Sequence, residues 1–131
     1  MKGNCITRNK NKRIVFQETR SKILFNNPKQ LSTTQVKVDG CEITDGVRCD
    51  FLLIVNNKEF FIELKGQDIE HAIVQLTRSI QTLGTNNNKT AFIICTRSPM
   101  SSAKIQNLRI KFRKRLNSKL IVKSSPYTHN I

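Results

Sequence analysis

Two carboxylates and an amine occur in the chain at a spacing that suits metal-assisted hydrolysis. Asp50 precedes the apolar run FLLIV, and Glu63 and Lys65 follow a second run, FFI, beyond the polar turn at 56–58. Two apolar runs joined by a short polar turn predict a β-hairpin, which sets the start of one strand beside the end of the next. Glu63 and Lys65 are two residues apart and so point to the same face. These three side chains are what a hydrolytic Mg²⁺ site requires.

The hairpin is predicted to lie within a three-strand meander. Residues 35–39 alternate as a half-buried strand does, and this strand can continue through Gly40 to Ile43. The hairpin strands are predicted at 47–55 and 59–65. The segment before the meander, 14–27, is open to two interpretations, a short helix or a strand, and we favour helix or mixed structure.

The second half of the chain alternates between helices and strands. A helix is predicted from the N-cap Asp68 to Gly84, because its apolar residues share one arc. A buried strand follows at 90–95, which should lie parallel to a neighbour. A helix capped by Ser101 or Ser102 comes next, although 108–113 also alternates as a strand does. A short strand at 119–123 completes the order (α)βββαβαβ, an α/β fold with a mixed β-sheet flanked by helices.

The chain is expected to form a single domain over 1–131, with a basic flexible arm at 1–13 and a loose tail at 124–131. The cysteines form no C-x-x-C pair, so zinc binding is not expected, and Cys41, Cys49 and Cys95 are expected to be reduced, packed thiols. No apolar run is long enough to span a membrane, and no secretory signal is recognisable. These features predict a cytoplasmic protein.

Charge is divided unequally along the sequence. The formal net charge is +14, and eight of the nine acidic residues fall between Asp39 and Glu70. From His71 onward there is no Asp or Glu, whereas there are eleven Lys or Arg residues. A positive surface around an acidic centre predicts a nucleic-acid partner together with a bound cation. The alternative is a charge bias that serves solubility alone.

The string Asp50, twelve residues, then Glu63-Leu64-Lys65, followed by a helix that carries Gln75, resembles the PD-(D/E)xK nuclease superfamily. The resemblance implies a restriction endonuclease-like or Holliday-junction resolvase-like core. It also implies that Asp50, Glu63 and the Leu64 carbonyl hold Mg²⁺ or Mn²⁺. Lys65 would then orient or deprotonate the attacking water, or stabilise charge in the transition state, and Gln75 would bond to the water or to Lys65.

The sequence departs from this pattern at Cys49, which stands where many members have Pro. Some branches carry a further acidic residue on a first helix, for which Glu18 is the candidate here. Asp39 is a candidate for supporting the ligands.

The resemblance implies a metal-dependent nuclease that cuts DNA, structure-selectively or by nicking, and a homodimer would suit a two-strand cut. The alternative is a non-catalytic nucleic-acid-binding protein, or a subunit of a larger nuclease or defence complex. The residues expected to contact phosphates lie on the last helix: Lys104, Arg109, Lys111, Arg113, Lys114 and Arg115.

Overall fold

A computed structural model describes residues 1–64, 68–97 and 100–131. These residues form an α/β fold with two β-sheets and two α-helices. After a 3₁₀ turn at Gly3–Cys5, the strands in chain order are β1 (Ile6–Asn9), β2 (Arg13–Glu18), β3 (Ser21–Asn26), β4 (Thr33–Lys37), β5 (Phe51–Val55), β6 (Lys58–Leu64), β7 (Asn88–Cys95), β8 (Lys119–Ser124) and β9 (Tyr127–Asn130). The helices are α1 (Ile69–Leu83), before β7, and α2 (Ser102–Leu116), before β8.

The larger sheet has six strands in the order β1-β4-β5-β6-β7-β8. The pairs β1–β4, β4–β5 and β5–β6 are antiparallel, whereas β6–β7 and β7–β8 are parallel. This arrangement confirms the predicted mixed sheet, its meander and its parallel strand after a crossover helix. The β5–β6 hairpin turns through Asn56 and Asn57, both with positive φ, which is the backbone conformation that tight hairpins need and that Asn tolerates.

The smaller sheet contains β2, β3 and β9, and it corrects the interpretation of residues 14–27. These residues form the β2–β3 hairpin instead of a helix or mixed structure. The physical reason is the two-residue alternation of apolar side chains: Ile14 and Phe16 are buried on one strand, and Ile23 and Phe25 on the other.

Both chain ends are built into sheets, so the predictions of a flexible arm and a loose tail are wrong. Strand β1 pairs with β4, and β9 pairs in parallel with β3. The ring of His129 on β9 lies 4.9 Å from the Phe92 ring and 5.8 Å from that of Phe25, centroid to centroid. A tail of mostly polar residues is ordered because it completes a sheet and packs one ring among aromatic neighbours.

A disulfide joins Cys5 to Cys41, so the prediction that Cys41 is a reduced thiol is wrong. The expectation does hold for Cys49 and Cys95, which are free and buried. The disulfide ties the N-terminal segment to the turn that follows β4. Gly40 in that turn has φ +73°, a left-handed conformation that favours glycine. The β4 strand therefore ends at Lys37 and does not continue to Ile43.

Two hydrophobic cores cover the faces of the larger sheet. One lies between the sheet and the helices, where Leu52, Phe61, Leu76 and Ile93 are fully buried. The other lies between the two sheets and is centred on the side chains of Phe25, Ile62, Leu64 and Phe92. Alternate residues of the central strands enter opposite cores, as the continuous apolar runs in the sequence require.

The two predicted helices are confirmed, with their N-caps. Asp68 accepts a hydrogen bond from the backbone N–H of His71, and Ser101 accepts one from that of Lys104. Residues 108–113 are helical, not a strand. Within the described part of the chain, no helix is long and apolar enough to cross a lipid bilayer.

We predict that Phe25→Ala lowers the free energy of unfolding by about 3–5 kcal/mol, because it empties a fully buried position between the two sheets. Urea titration followed by far-UV circular dichroism measures this loss. Val15→Ala in the same hairpin is the control, since Val15 is 46% exposed and its truncation should cost less than about 1 kcal/mol. Equal losses in the two variants would contradict the packing of this hairpin on the larger sheet.

Candidate functional site

Asp50 is fixed at the start of β5 by both its backbone and its side chain. Its N–H donates to the Ile62 carbonyl at 3.0 Å, and its carbonyl accepts from the N–H groups of Val38 and Asp39 at 3.1 and 3.2 Å. Its carboxylate accepts a 2.7 Å hydrogen bond from the Leu64 N–H. Asp50 thus joins the end of β6 to the turn after β4, and the residue is only 6% exposed.

Asp39 reaches the site from the turn after β4. Its carboxylate accepts a 2.8 Å hydrogen bond from Arg48 Nε, and this ion pair is only partly exposed to solvent. Arg48 also donates to the Gly46 carbonyl. The guanidinium therefore braces the loop before Asp50 and supplies one positive charge beside the acidic residues.

Glu18 comes from the β2–β3 hairpin and not from a helix. It is the last residue of β2 and pairs in register with Ser21 of β3. The buried Ser21 hydroxyl donates a 3.0 Å hydrogen bond to the Ile94 carbonyl, near the C-terminal end of β7. This bond ties the tip of the hairpin to the larger sheet and so holds Glu18 at the same end of the sheet as Asp50.

These three carboxylates converge. One carboxylate oxygen from each of Glu18, Asp39 and Asp50 lies within 4.8 Å of the others. Glu63 is adjacent to these three carboxylates. Its side chain shares a hydrogen bond with Asp50, and the charges of Asp50, Glu18 and Asp39 act on it. The structure therefore brings together Asp50, Glu63 and both of the additional candidates from the sequence, Glu18 and Asp39.

The pKa of Glu63 is raised from an ordinary value near 4.5 to about 9. Burial is the main cause, since the residue is 7% exposed, and the charge of Asp50 and a hydrogen bond to it come next. The charges of Glu18 and Asp39 make smaller contributions in the same direction. A neutral Glu63 that shares a proton with Asp50 is the state that this environment favours without a cation.

The acidic cluster has the properties of a divalent cation site. Carboxylate oxygens are the ligands that Mg²⁺, Mn²⁺ and Ca²⁺ prefer. Among the described residues, Glu63 Oε1 is buried and has no hydrogen-bond partner, although buried polar atoms are ordinarily satisfied. A cation held by Glu18, Asp39 and Asp50 would relieve the repulsion among these carboxylates and would lie beside the buried Glu63.

The remaining site candidates are Gln75, the Leu64 carbonyl and Lys65. The Gln75 side chain donates to the Arg48 carbonyl at 3.1 Å, two residues before Asp50, so Gln75 lies beside the site. The Leu64 side chain is buried in the core between the sheets, and its carbonyl as a ligand stays a prediction. Lys65 lies outside the described residues.

Cys49 adjoins the site but is unsuited to nucleophilic chemistry. Burial raises the pKa of its thiol to about 12, and the nearby Glu63 and Asp50 charges act in the same direction. The thiolate, which is the reactive form, is therefore disfavoured.

The six basic residues predicted to contact phosphates do lie on α2. Arg109 is half-buried, and the other five, Lys104, Lys111, Arg113, Lys114 and Arg115, are exposed. Asn117 ends the helix in a left-handed conformation. Arg113, Lys114 and Arg115 occupy the last turn, where positive side chains interact favourably with the helix dipole.

Arg48 is a site residue that the sequence reasoning missed. Arg48 stands two residues before Asp50, and side chains two residues apart in an extended chain point to the same side. This spacing is the feature of the sequence that indicates Arg48. Glu18 was identified but assigned to the wrong element. The alternation of Ile14, Phe16 and Glu18 would have placed it at the end of a strand on its buried face.

No protein-family model matches this chain, and neither a curated protein nor a solved structure shows significant similarity to it.

We predict that Glu63→Gln stabilises the metal-free protein at about pH 8 relative to the parent, by at least ~1 kcal/mol. Between pH 4.5 and 9 the folded protein keeps a proton on Glu63 that the unfolded chain has released, so raising the pH disfavours the folded state. The advantage of the variant should therefore grow from about pH 5 to pH 8. Urea titrations in a chelator at several pH values measure it.

Glu59→Gln is the matched control, because Glu59 is buried on the same face of the same strand. Its carboxylate accepts hydrogen bonds from the Thr85 N–H and hydroxyl and lies 3.9 Å from Lys89 Nζ. Loss of these bonds to a charged acceptor should destabilise the protein by about 1–3 kcal/mol. If both variants are destabilised alike at pH 8, the repulsion assigned to Glu63 is wrong.

Proposed function

We propose that this protein is a metal-dependent nuclease that hydrolyses phosphodiester bonds of DNA, with Mg²⁺ or Mn²⁺ as its cofactor. The observation that carries the proposal is the convergence of Glu18, Asp39 and Asp50, whose carboxylate oxygens lie within 4.8 Å of one another, beside the buried Glu63. Such a cluster in a protein with a net charge of +14 suits a cation and a polyanion together.

The order of elements around the cluster supports a restriction endonuclease-like core. An antiparallel meander of β4, β5 and β6 leads into α1, and β7 then pairs in parallel with β6. Asp50 precedes the first strand of the hairpin and Glu63 lies near the end of the second, as the D…ExK pattern in the sequence requires. In place of the acidic residue on a first helix, this chain supplies Glu18 from a β-hairpin.

Each acidic residue has a distinct part in the proposed site. Asp50 and Glu63 are the main cation ligands, and Glu18 and Asp39 complete the set of oxygens. A cation held by these residues would supply Lewis-acid polarisation of the scissile phosphate and would lower the pKa of a water bound to it. Lys65, two residues after Glu63 in the sequence, orients that water or stabilises the charge of the transition state.

Arg48 and Gln75 are assigned to positioning. Arg48 holds the Asp39 carboxylate, and the Gln75 amide holds the Arg48 carbonyl. Together they link α1 to the loop that precedes Asp50. The exposed cations of α2 would contact the substrate backbone, and a homodimer would place two such sites on opposite strands.

We predict that Asp50→Asn and Glu63→Gln each lower the rate of DNA cleavage by at least ~100-fold, since even partners of metal ligands contribute 10–100-fold. Linear, supercoiled, branched and single-stranded DNA, and RNA, should be incubated with the protein in Mg²⁺ or Mn²⁺, and cleavage followed by gel electrophoresis. Cleavage should be abolished by EDTA.

Glu70→Gln is the control for these two variants. Glu70 is exposed in the first turn of α1, and its substitution removes one formal negative charge, as Asp50→Asn does, so the general attraction of the polyanion is matched between these two variants. It should cleave as the parent does. Binding of DNA with no cleavage in either metal would refute the enzyme and favour the non-catalytic binding protein.

We also predict that Mn²⁺ or Mg²⁺ raises the thermal midpoint of the parent at about pH 8, because a ligand that binds the folded state alone adds stability. At a free concentration of 100 times Kd the gain is about 2.7 kcal/mol. The shift should be largely lost in Asp50→Asn and kept in Glu70→Gln. A midpoint that does not respond to either metal at millimolar concentration would rule out the cation site.

A further inference from the structure

A basic groove runs along the outer edge of the larger sheet, where β8 is the last strand. It encloses about 650 Å³ between α2 on one side and β8 and β9 on the other. Its cations come from both sides: Arg109, Arg113 and Lys114 from α2, and Lys119 and Lys123 from β8. We call this surface the β8 groove.

We propose that the β8 groove binds a single-stranded segment of a polynucleotide, which deepens the nuclease function proposed above and rests on it for the identity of the substrate. Among the described residues, none of the five cations of the groove forms an ion pair. The sequence has no Asp or Glu after Glu70, so none lies on α2, β8 or β9 beside these cations. A row of cations that form no ion pairs attracts an anionic ligand.

The spacing of the cations suits a polymer better than a small anion. Lys119, Ile121 and Lys123 share one face of β8, so the two lysines are about 13 Å apart along the strand. Arg109 and Arg113 are one helical turn, about 6 Å, apart on the opposite wall. Charges spread along both walls of a groove match the repeated phosphates of an extended strand.

The groove also offers surfaces for bases. Ile110, which is 48% exposed, and the partly exposed Tyr127 line it, and Lys123 Nζ lies 5.9 Å from the centre of the Tyr127 ring. An aromatic ring among cations is the usual platform on which an unpaired base stacks. In a duplex the bases stack on one another, so they are not free to contact this apolar lining.

Two other occupants fit less well. A second copy of this chain would bring the same positive charge to the groove. An added peptide strand would need an edge free of lysine, because lysines on edge strands oppose further pairing. An acidic peptide remains the one competitor whose charge is right, and the test below includes it.

The groove lies close enough to the acidic cluster to hold one substrate. Across the sheet, Leu64 of β6 pairs with Ile94 of β7, which pairs with Lys123 of β8. Two strand spacings are about 10 Å. One end of the groove is thus about 10 Å from the residue that follows Glu63, and the groove runs from there toward Lys119.

The test measures binding in EDTA, by fluorescence anisotropy, of labelled single-stranded DNA and RNA of about 12 nucleotides, a duplex of the same sequence and an acidic peptide. The parent should bind a single strand more tightly than the duplex. Replacing Lys119 and Lys123 together by Ala should weaken that binding about tenfold and lower the salt dependence, the slope of log K against log salt, by about 1.4. The affinities measured for single-stranded DNA and single-stranded RNA show which of the two the groove prefers.

The control replaces Lys22 and Lys29, two exposed lysines outside the groove, and should change the affinity much less. Tyr127→Leu should weaken binding of the normal strand about fivefold but spare a strand of abasic residues. Equal losses in the two lysine pairs, equal binding of the duplex, or preference for the acidic peptide would each overturn the proposal.

The assay separates this proposal from the nuclease function. The binding assay contains no divalent metal, so its result does not depend on cleavage. A protein that binds single strands through the groove in EDTA, and cleaves no substrate when Mg²⁺ or Mn²⁺ is supplied, would refute the nuclease function and support the groove. A protein that cleaves DNA, and whose Lys119 and Lys123 variant behaves as the control does, would refute the groove alone.

Discussion

The hydrogen bonds of Asp50 are the constraint on which the candidate site depends. Its backbone bonds to β6 on one side and to the turn after β4 on the other, and its carboxylate bonds to the Leu64 N–H. Three segments of the chain are thereby held at one end of the larger sheet. The acidic side chains that they carry repel one another, as the raised pKa of Glu63 indicates. The rest of the fold supplies the free energy that keeps these charges together, which is the usual relation between a functional site and its scaffold.

The central hairpin, the meander, helix α1 and the parallel strand β7 could be predicted from the sequence because each has a strong local pattern. The apolar runs of β5 and β6 and the capped apolar arc of α1 are examples. Asp50 and Glu63 could be placed together for the same reason, since one hairpin turn relates them.

The rest depends on contacts between distant parts of the chain. Glu18 reaches the cluster only because the β2–β3 hairpin docks through Ser21 on β7, and β9 is ordered only because β3 offers it an edge. The Cys5–Cys41 disulfide joins residues 36 apart in sequence. The spacing of residues in the sequence indicates none of these long-range contacts. The short polar segments at 1–13 and 124–131 are therefore predicted to be flexible.

The parallel pairing of β3 with β9 links the site to the order in which the chain is synthesised. An isolated two-stranded hairpin is only marginally stable in water, and β9, the third strand of the small sheet, comprises Tyr127–Asn130. Asp39, Asp50 and Glu63 belong to the larger sheet and the turn beside it, whereas Glu18 is fully supported only after residue 130 has been added. The hairpin that carries Glu18 thus gains its third strand only after every other described strand has been synthesised.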